Sequence, residues 1–157
     1  MTIRTHHYQV EVEWTGNRGT GTSRYDAYGR DHVYRAGGKP EIPGSADPHF
    51  RGDADRWNPE ELLVAALSSC HKLSYLHLCA VNRVVVTSYV DAAEGWMDEE
   101  AGEGQLDRVL LKPRVTIAAG SDAERARALH HDAHAACFIA RSVNFPVEHA
   151  PTIVTEG

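Results

Sequence analysis

Residues 58–82, NPEELLVAALSSCHKLSYLHLCAVN, decide how the rest of the chain is read. Asn58 is a good N-cap, Pro59 suits the first helical position, and Glu61 completes a capping box. Glu60 and Glu61 also favour the positive end of the helix dipole. No Gly and no Pro follow Pro59 in the stretch. Leu62, Leu63, Ala66, Leu67, Cys70, Leu73 and His77 recur at three-four spacing and predict one broad apolar face. Leu76, Leu78 and Cys79 widen it, so the helix is expected to be central and covered on more than one side. At 1.5 Å per residue it would run about 36 Å, which hints at burial against a partner subunit.

Upstream, Tyr8, Val10, Val12 and Trp14 alternate with Gln9, Glu11 and Glu13, the pattern of a half-buried strand over 6–14. GNRGTG at 16–21 is a Gly-rich turn carrying Arg18. Residues 22–35 predict two short strands, and 36–57 a long loop rich in Gly and Pro, with Phe50 and Trp57 packed onto something. Downstream, VVVTSYVDA from 84 predicts a strand, MDEEAGEGQ at 97–105 a solvated hairpin tip, and 106–118 a returning strand. Pro113 suggests an edge or a bulge in it. Ser121 and Glu124 predict the start of a second helix that ends near Arg141, and NFPVEHAPTIV a last strand. The order β-β-β-α-β-β-α-β implies one α+β domain over 1–157 with antiparallel sheet.

The chain has 157 residues and a net charge of -6, which argues against nucleic acid and anionic membrane surfaces as partners. No apolar run is expected to span a bilayer, and MTIRTHHYQV lacks the apolar core of a signal peptide, so the cytoplasm is the expected address. Three cysteines do not suggest a disulfide framework; they are either buried apolar residues or working thiols. A working thiol at Cys70, mid-helix, needs a cation nearby, and Arg18 is a candidate, held by Glu60 or Glu61. On one straight helix Glu60 lies about 15 Å along the axis from Cys70, so a helix break, a long Arg18 reach or two subunits would be needed. Cys137, on a separate helix, could resolve an oxidised Cys70.

NPEELLVAALSSCH and AHAACFIARSVNFPV, together with WTGNRGTGTSRY, resemble the signature segments of the OsmC/Ohr family, the osmotically inducible and organic-hydroperoxide-resistance proteins. The long loop before the helix places the chain closer to the OsmC-like branch. The resemblance implies an intertwined homodimer with antiparallel sheets, a long central helix and a second helix. It implies thiol-dependent reduction of organic hydroperoxides to alcohols, with Cys70 peroxidatic, Cys137 resolving, Arg18 activating and Glu60 its carboxylate partner. Arg24 and Arg30 compete with Arg18 for that role. The implied reductant is a dithiol, notably a lipoyl group; no cofactor and no resident metal are expected.

Phe50, Trp57, Phe138 and Phe145 could roof the thiol with an apolar pocket that favours alkyl hydroperoxides, at about 0.8 kcal/mol per buried CH₂. The same residues could equally be plain core. Cys79 is expected to be structural, and His71 to lie at the surface or behind the site. Two other function classes remain open: a non-catalytic redox sensor or small-ligand-binding module, and a metal-binding protein using His130, His134 and Cys137 at i, i+4 and i+7.

Overall fold

The computed structural model describes residues 1–157. Its contacts fall into two compact units, residues 1–62 and 63–157, with the division inside the first turn of the long helix.

In the N-terminal unit, β1 (Glu11–Trp14), β2 (His32–Arg35) and β3 (Ile42–Gly44) form an antiparallel sheet in that order. The expected first strand is shorter than 6–14, and its apolar side is uncovered in the single chain: Tyr8, Val10, Val12 and Trp14 are all exposed. Between Trp14 and β2 the chain is turn rather than a further strand. Asn17 organises it, its Oδ1 accepting the N–H groups of Gly19 and Gly21 at 2.9 and 3.0 Å. A Cβ on Gly16 would lie 2.0 Å from the Gly29 carbonyl oxygen, so the two arms of this turn approach as only Gly permits. The long stretch 36–57 is not plain loop, since it contains β3 and a 3₁₀ turn at Pro48–Phe50.

Helix α1 (Pro59–Val81) starts as its capping residues dictate. The Glu61 N–H donates to Asn58 Oδ1 at 2.8 Å, and Asn58 Nδ2 donates back to Glu61 Oε1 at 2.6 Å. Its end is a Schellman motif on a residue other than Gly. Arg83 takes left-handed geometry (φ 60°), the Val84 N–H reaches Cys79 O at 2.9 Å, and the Arg83 N–H reaches Ala80 O at 3.4 Å. The buried stripe of α1 is Leu67, His71, Tyr75 and Cys79, a strict i, i+4 row, whereas Leu73 is exposed. By length and composition α1 could cross a bilayer, which amends the expectation above; core helices of soluble proteins pass the same test.

The C-terminal unit has two mixed sheets. One runs β4 (Val86–Asp91), β7 (Pro113–Ile117), β9 (Thr152–Thr155); the other β5 (Glu94–Glu100), β6 (Glu103–Leu111), β8 (Val147–His149). The acidic tip 97–105 is a β5–β6 hairpin, as expected. The strand expected over 106–118 splits at Lys112, whose N–H is taken by Asp91 Oδ1 at 2.7 Å, so β6 and β7 join different sheets. Pro113 is neither at an edge nor in a bulge. It is the first residue of the central strand β7, where a missing N–H is tolerated. The tail forms two strands, and both pair parallel, β8 with β6 and β9 with β7.

Helix α2 (Ala123–Ala136) is capped by Asp122, whose side chain accepts the Arg125 N–H at 3.0 Å. Ser121 instead accepts the Val85 N–H at 3.0 Å, one position from its expected role. The helix stops at Ala136, short of Arg141, and Cys137 is its extended C-cap. Two apolar clusters close the unit. Tyr75, Cys79 and Leu129 pack on Val115 and Ile117, while Leu67 packs on Val109, Leu111 and Val147.

Candidate functional site

Cys70 is half-buried on α1 and Cys137 is buried at the end of α2. The two thiols, 67 positions apart in the chain, lie side by side, close enough to hydrogen-bond. The helix termination at Ala136 makes this possible: Cys137 turns out of helical geometry (φ -74, ψ 111), and the Ala140 N–H donates to its Sγ at 3.4 Å. Burial pushes the Cys137 thiol up to about 11; the Ala140 N–H pulls the other way, and the neighbouring Cys70 adds to the rise. Cys79 is buried among apolar side chains, and burial raises its thiol as well. All three cysteines are free thiols.

The expected activating groups belong to the N-terminal unit. Arg18 lines a cleft with Gly16, Gly29, Arg30, Arg51 and Asp53. The competing arginines are engaged elsewhere. Arg24 pairs with Asp26 at 3.2 Å. Arg30 donates to the carbonyls of Tyr28 and Tyr25 at 2.5 and 2.7 Å and lies over both rings, at 3.9 and 4.5 Å. Arg18 has no such partner. Glu60 forms no ion pair with Arg18 within the chain; its charge, after burial, helps push the Tyr34 hydroxyl up.

The four aromatic candidates divide. Phe145 packs against the Leu67–Val109 cluster and is core. Phe138, next to Cys137, is 79% exposed. In the N-terminal unit Phe50 ends the 3₁₀ turn, and Trp57 bridges to Gly44 with its ring partly open. His130, His134 and Cys137 do not converge on a ligand position, because α2 ends before Cys137 and His130 is bonded to another side chain.

That side chain is His71, which the sequence reading placed at the surface or behind the site and which is 1% exposed. His71, Tyr75 and His130 form a buried aromatic group between α1 and α2, with the half-buried His149 of β8 beside it. The i, i+4 pair His71 and Tyr75 carries the signal in the sequence, whereas the Leu spacing points to a neighbouring face.

The model of the family described as OsmC-like protein matches residues 52–151. An OsmC-like protein of unknown function from Vibrio cholerae has a similar structure, with 32% identity, a TM-score of 0.84, and 94% of this chain and 99% of that one covered. The chain belongs to the OsmC-like family. Two more distant structures share the fold. An organic hydroperoxide resistance protein OsmC from Legionella pneumophila is 15% identical, with a TM-score of 0.68 and coverage of 97% and 99%. An organic hydroperoxide resistance protein from Elizabethkingia anophelis is 19% identical, with a TM-score of 0.67 and coverage of 98% and 100%. No curated protein matches the chain.

Proposed function

We propose that this protein is a thiol-dependent peroxidase that reduces organic hydroperoxides to alcohols. The observation that carries the reading is the meeting of Cys70 and Cys137, two free thiols from two helices. Membership of the family and the names of its distant structural relatives agree with a redox role.

The Cys70 thiolate attacks the distal oxygen of ROOH; the O–O bond breaks, the alkoxide takes a proton and leaves as ROH, and Cys70 becomes a sulfenic acid. Cys137 then attacks that sulfur, water leaves, and the Cys70–Cys137 disulfide forms. An external dithiol, such as a lipoyl group, reduces the disulfide and is itself oxidised. Arg18, free of carboxylate partners, is the proposed activating cation. Glu60 is the carboxylate that steadies it, the two coming together in a homodimer. The exposed Tyr8, Val10, Val12 and Trp14 support such an assembly. Phe138, with Phe50 and Trp57, is proposed to meet the alkyl tail, and Phe145 to back the site from the core. The proposed address is the cytoplasm, where thiols stay reduced.

The test is turnover of an alkyl hydroperoxide with dihydrolipoamide. Steady consumption is expected, with hydrogen peroxide a poorer substrate; no consumption with the dithiol would contradict the reading. One observation favours a second reading. Burial holds Cys137 mostly as the neutral thiol, which slows resolution and suits a redox sensor that oxidises once. A sensor would form the disulfide without sustained turnover.

A further inference from the structure

Beyond the thiols, the most unusual polar group in the molecule joins α1 to α2. His71 and His130 are 1% and 0% exposed, and His71 Nε2 lies 3.0 Å from His130 Nδ1. The rings are within 5° of parallel, with centroids 5.3 Å apart. At that N···N distance such a separation puts the rings edge to edge, so one proton lies between two facing nitrogens. Tyr75, one turn along α1, stacks on His130 at 3.8 Å and 10°, and its hydroxyl donates to the Ala126 carbonyl at 2.8 Å. Two positions one turn apart on α1 thus hold two positions one turn apart on α2.

The outer nitrogens, His71 Nδ1 and His130 Nε2, are buried without a protein partner. Apolar side chains would fill such an interface without leaving polar atoms unmatched. What a buried hydrogen bond adds is a single allowed placement of the groups it joins. His71 directly follows Cys70 in the chain. His130 precedes Cys137 by seven residues and stands in the last two turns of α2, the turns that lead into Cys137 at the C-cap. Rotating α1 by one residue, about 100°, would break the imidazole bond and carry Cys70 away from Cys137.

We propose that the His71–His130 hydrogen bond is a positioning device that fixes the rotation and register of α1 on α2 so that the Cys70 and Cys137 thiols meet. This rests on the thiol-pair reading above. The groups facing the pair are His149 from β8, His134 and Arg127 from α2, and Tyr89 across Tyr75 from β4. None is a carboxylate, so nothing there offsets an added proton. Burial, first, and the positive charge that neighbouring imidazoles and, for His130, Arg127 would add, second, hold His71 at about 4 and His130 at about 3. The pair is therefore neutral, with one shared proton, at neutral pH.

The test is a glutathione titration of the full chain at neutral pH, comparing the parent with His71→Leu and His71→Gln. Oxidised glutathione takes two electrons from Cys70 and Cys137; two reduced glutathiones leave, and the equilibrium measures the effective concentration of one thiol at the other. His71→Leu is expected to lower that value about tenfold or more. His71→Gln, whose amide N–H can still donate to His130 Nδ1, is expected to restore most of it. A folded His71→Leu with the parent's value would overturn the proposal, as would a loss that His71→Gln does not repair. If His71→Leu does not fold, His130→Leu and His130→Gln put the same question from α2. A parent that forms no Cys70–Cys137 disulfide sinks the thiol-pair reading itself. A parent that forms it without peroxide turnover leaves the positioning role standing.

Discussion

The two compact units of this chain differ in what they bury. Every buried apolar side chain, from Leu67 to Val147, belongs to residues 63–157. Residues 1–62 bury only Gly16, Gly44, Ser45 and Asn58. Yet the N-terminal unit is not poor in apolar residues; Tyr8, Val10, Val12, Trp14, Ile42 and Trp57 are simply open to solvent. A β-sheet of three short strands with no buried apolar side chain is not stable alone. The difference teaches that the C-terminal unit is written to fold on itself, whereas the N-terminal unit is written for a surface that one chain does not supply. A second copy of the chain is the proposed source.

The comparison can be broken most severely at the thiols. Cys70→Ser should lower hydroperoxide turnover by about a hundredfold or more, leaving only uncatalysed reaction, while Cys137→Ser should allow one oxidation and then stall. A stopped-flow burst followed by arrest distinguishes the two; equal steady rates would refute the two-thiol scheme. Next in size is the C-terminal core. Leu129→Ala should cost about 2–5 kcal/mol in denaturant unfolding, since it opens a cavity in the cluster of Tyr75, Cys79 and Ile117. Val12→Ser on the open sheet should cost far less within a chain and instead shift sedimentation toward the monomer. If its effect on chain stability matched that of Leu129→Ala at concentrations where only monomer is present, the contrast between the units would be wrong.

Acidification gives a graded effect confined to the C-terminal unit. Unfolded histidines charge near 6.5, whereas folded His71 and His130 charge only at about 4 and about 3. Between those values the unfolded chain binds more protons, so the histidine contribution should be flat from about pH 6.5 to 8 and stability should fall as the pH drops toward 4. His71→Leu should flatten part of that slope in urea titrations. The smallest change expected is Asn58→Ala, which removes the cap of α1 and should cost about 1 kcal/mol.

Much of this was legible in the residues because it rests on local chemistry. The start of α1 followed from Asn58, Pro59 and Glu61, and the β5–β6 tip from its acid-rich turn. The thiol pair was raised as a possibility by residue type and singled out by the resemblance, since nothing local links positions 70 and 137. Three things stayed hidden. The split of 106–118 depends on a bond from Lys112 to a distant Asp91 side chain. The parallel pairing of β8 and β9 is set by where α2 returns the chain. The burial of His71 depends on a partner imidazole 59 residues away, and hydrophobic periodicity counts a histidine as polar.

The most direct measurement is a thiol count with disulfide mapping after one equivalent of an alkyl hydroperoxide. Two thiols per chain should be lost, joined as a Cys70–Cys137 disulfide, with Cys79 still reduced. Retention of all three thiols, or a bond through Cys79, would contradict the account.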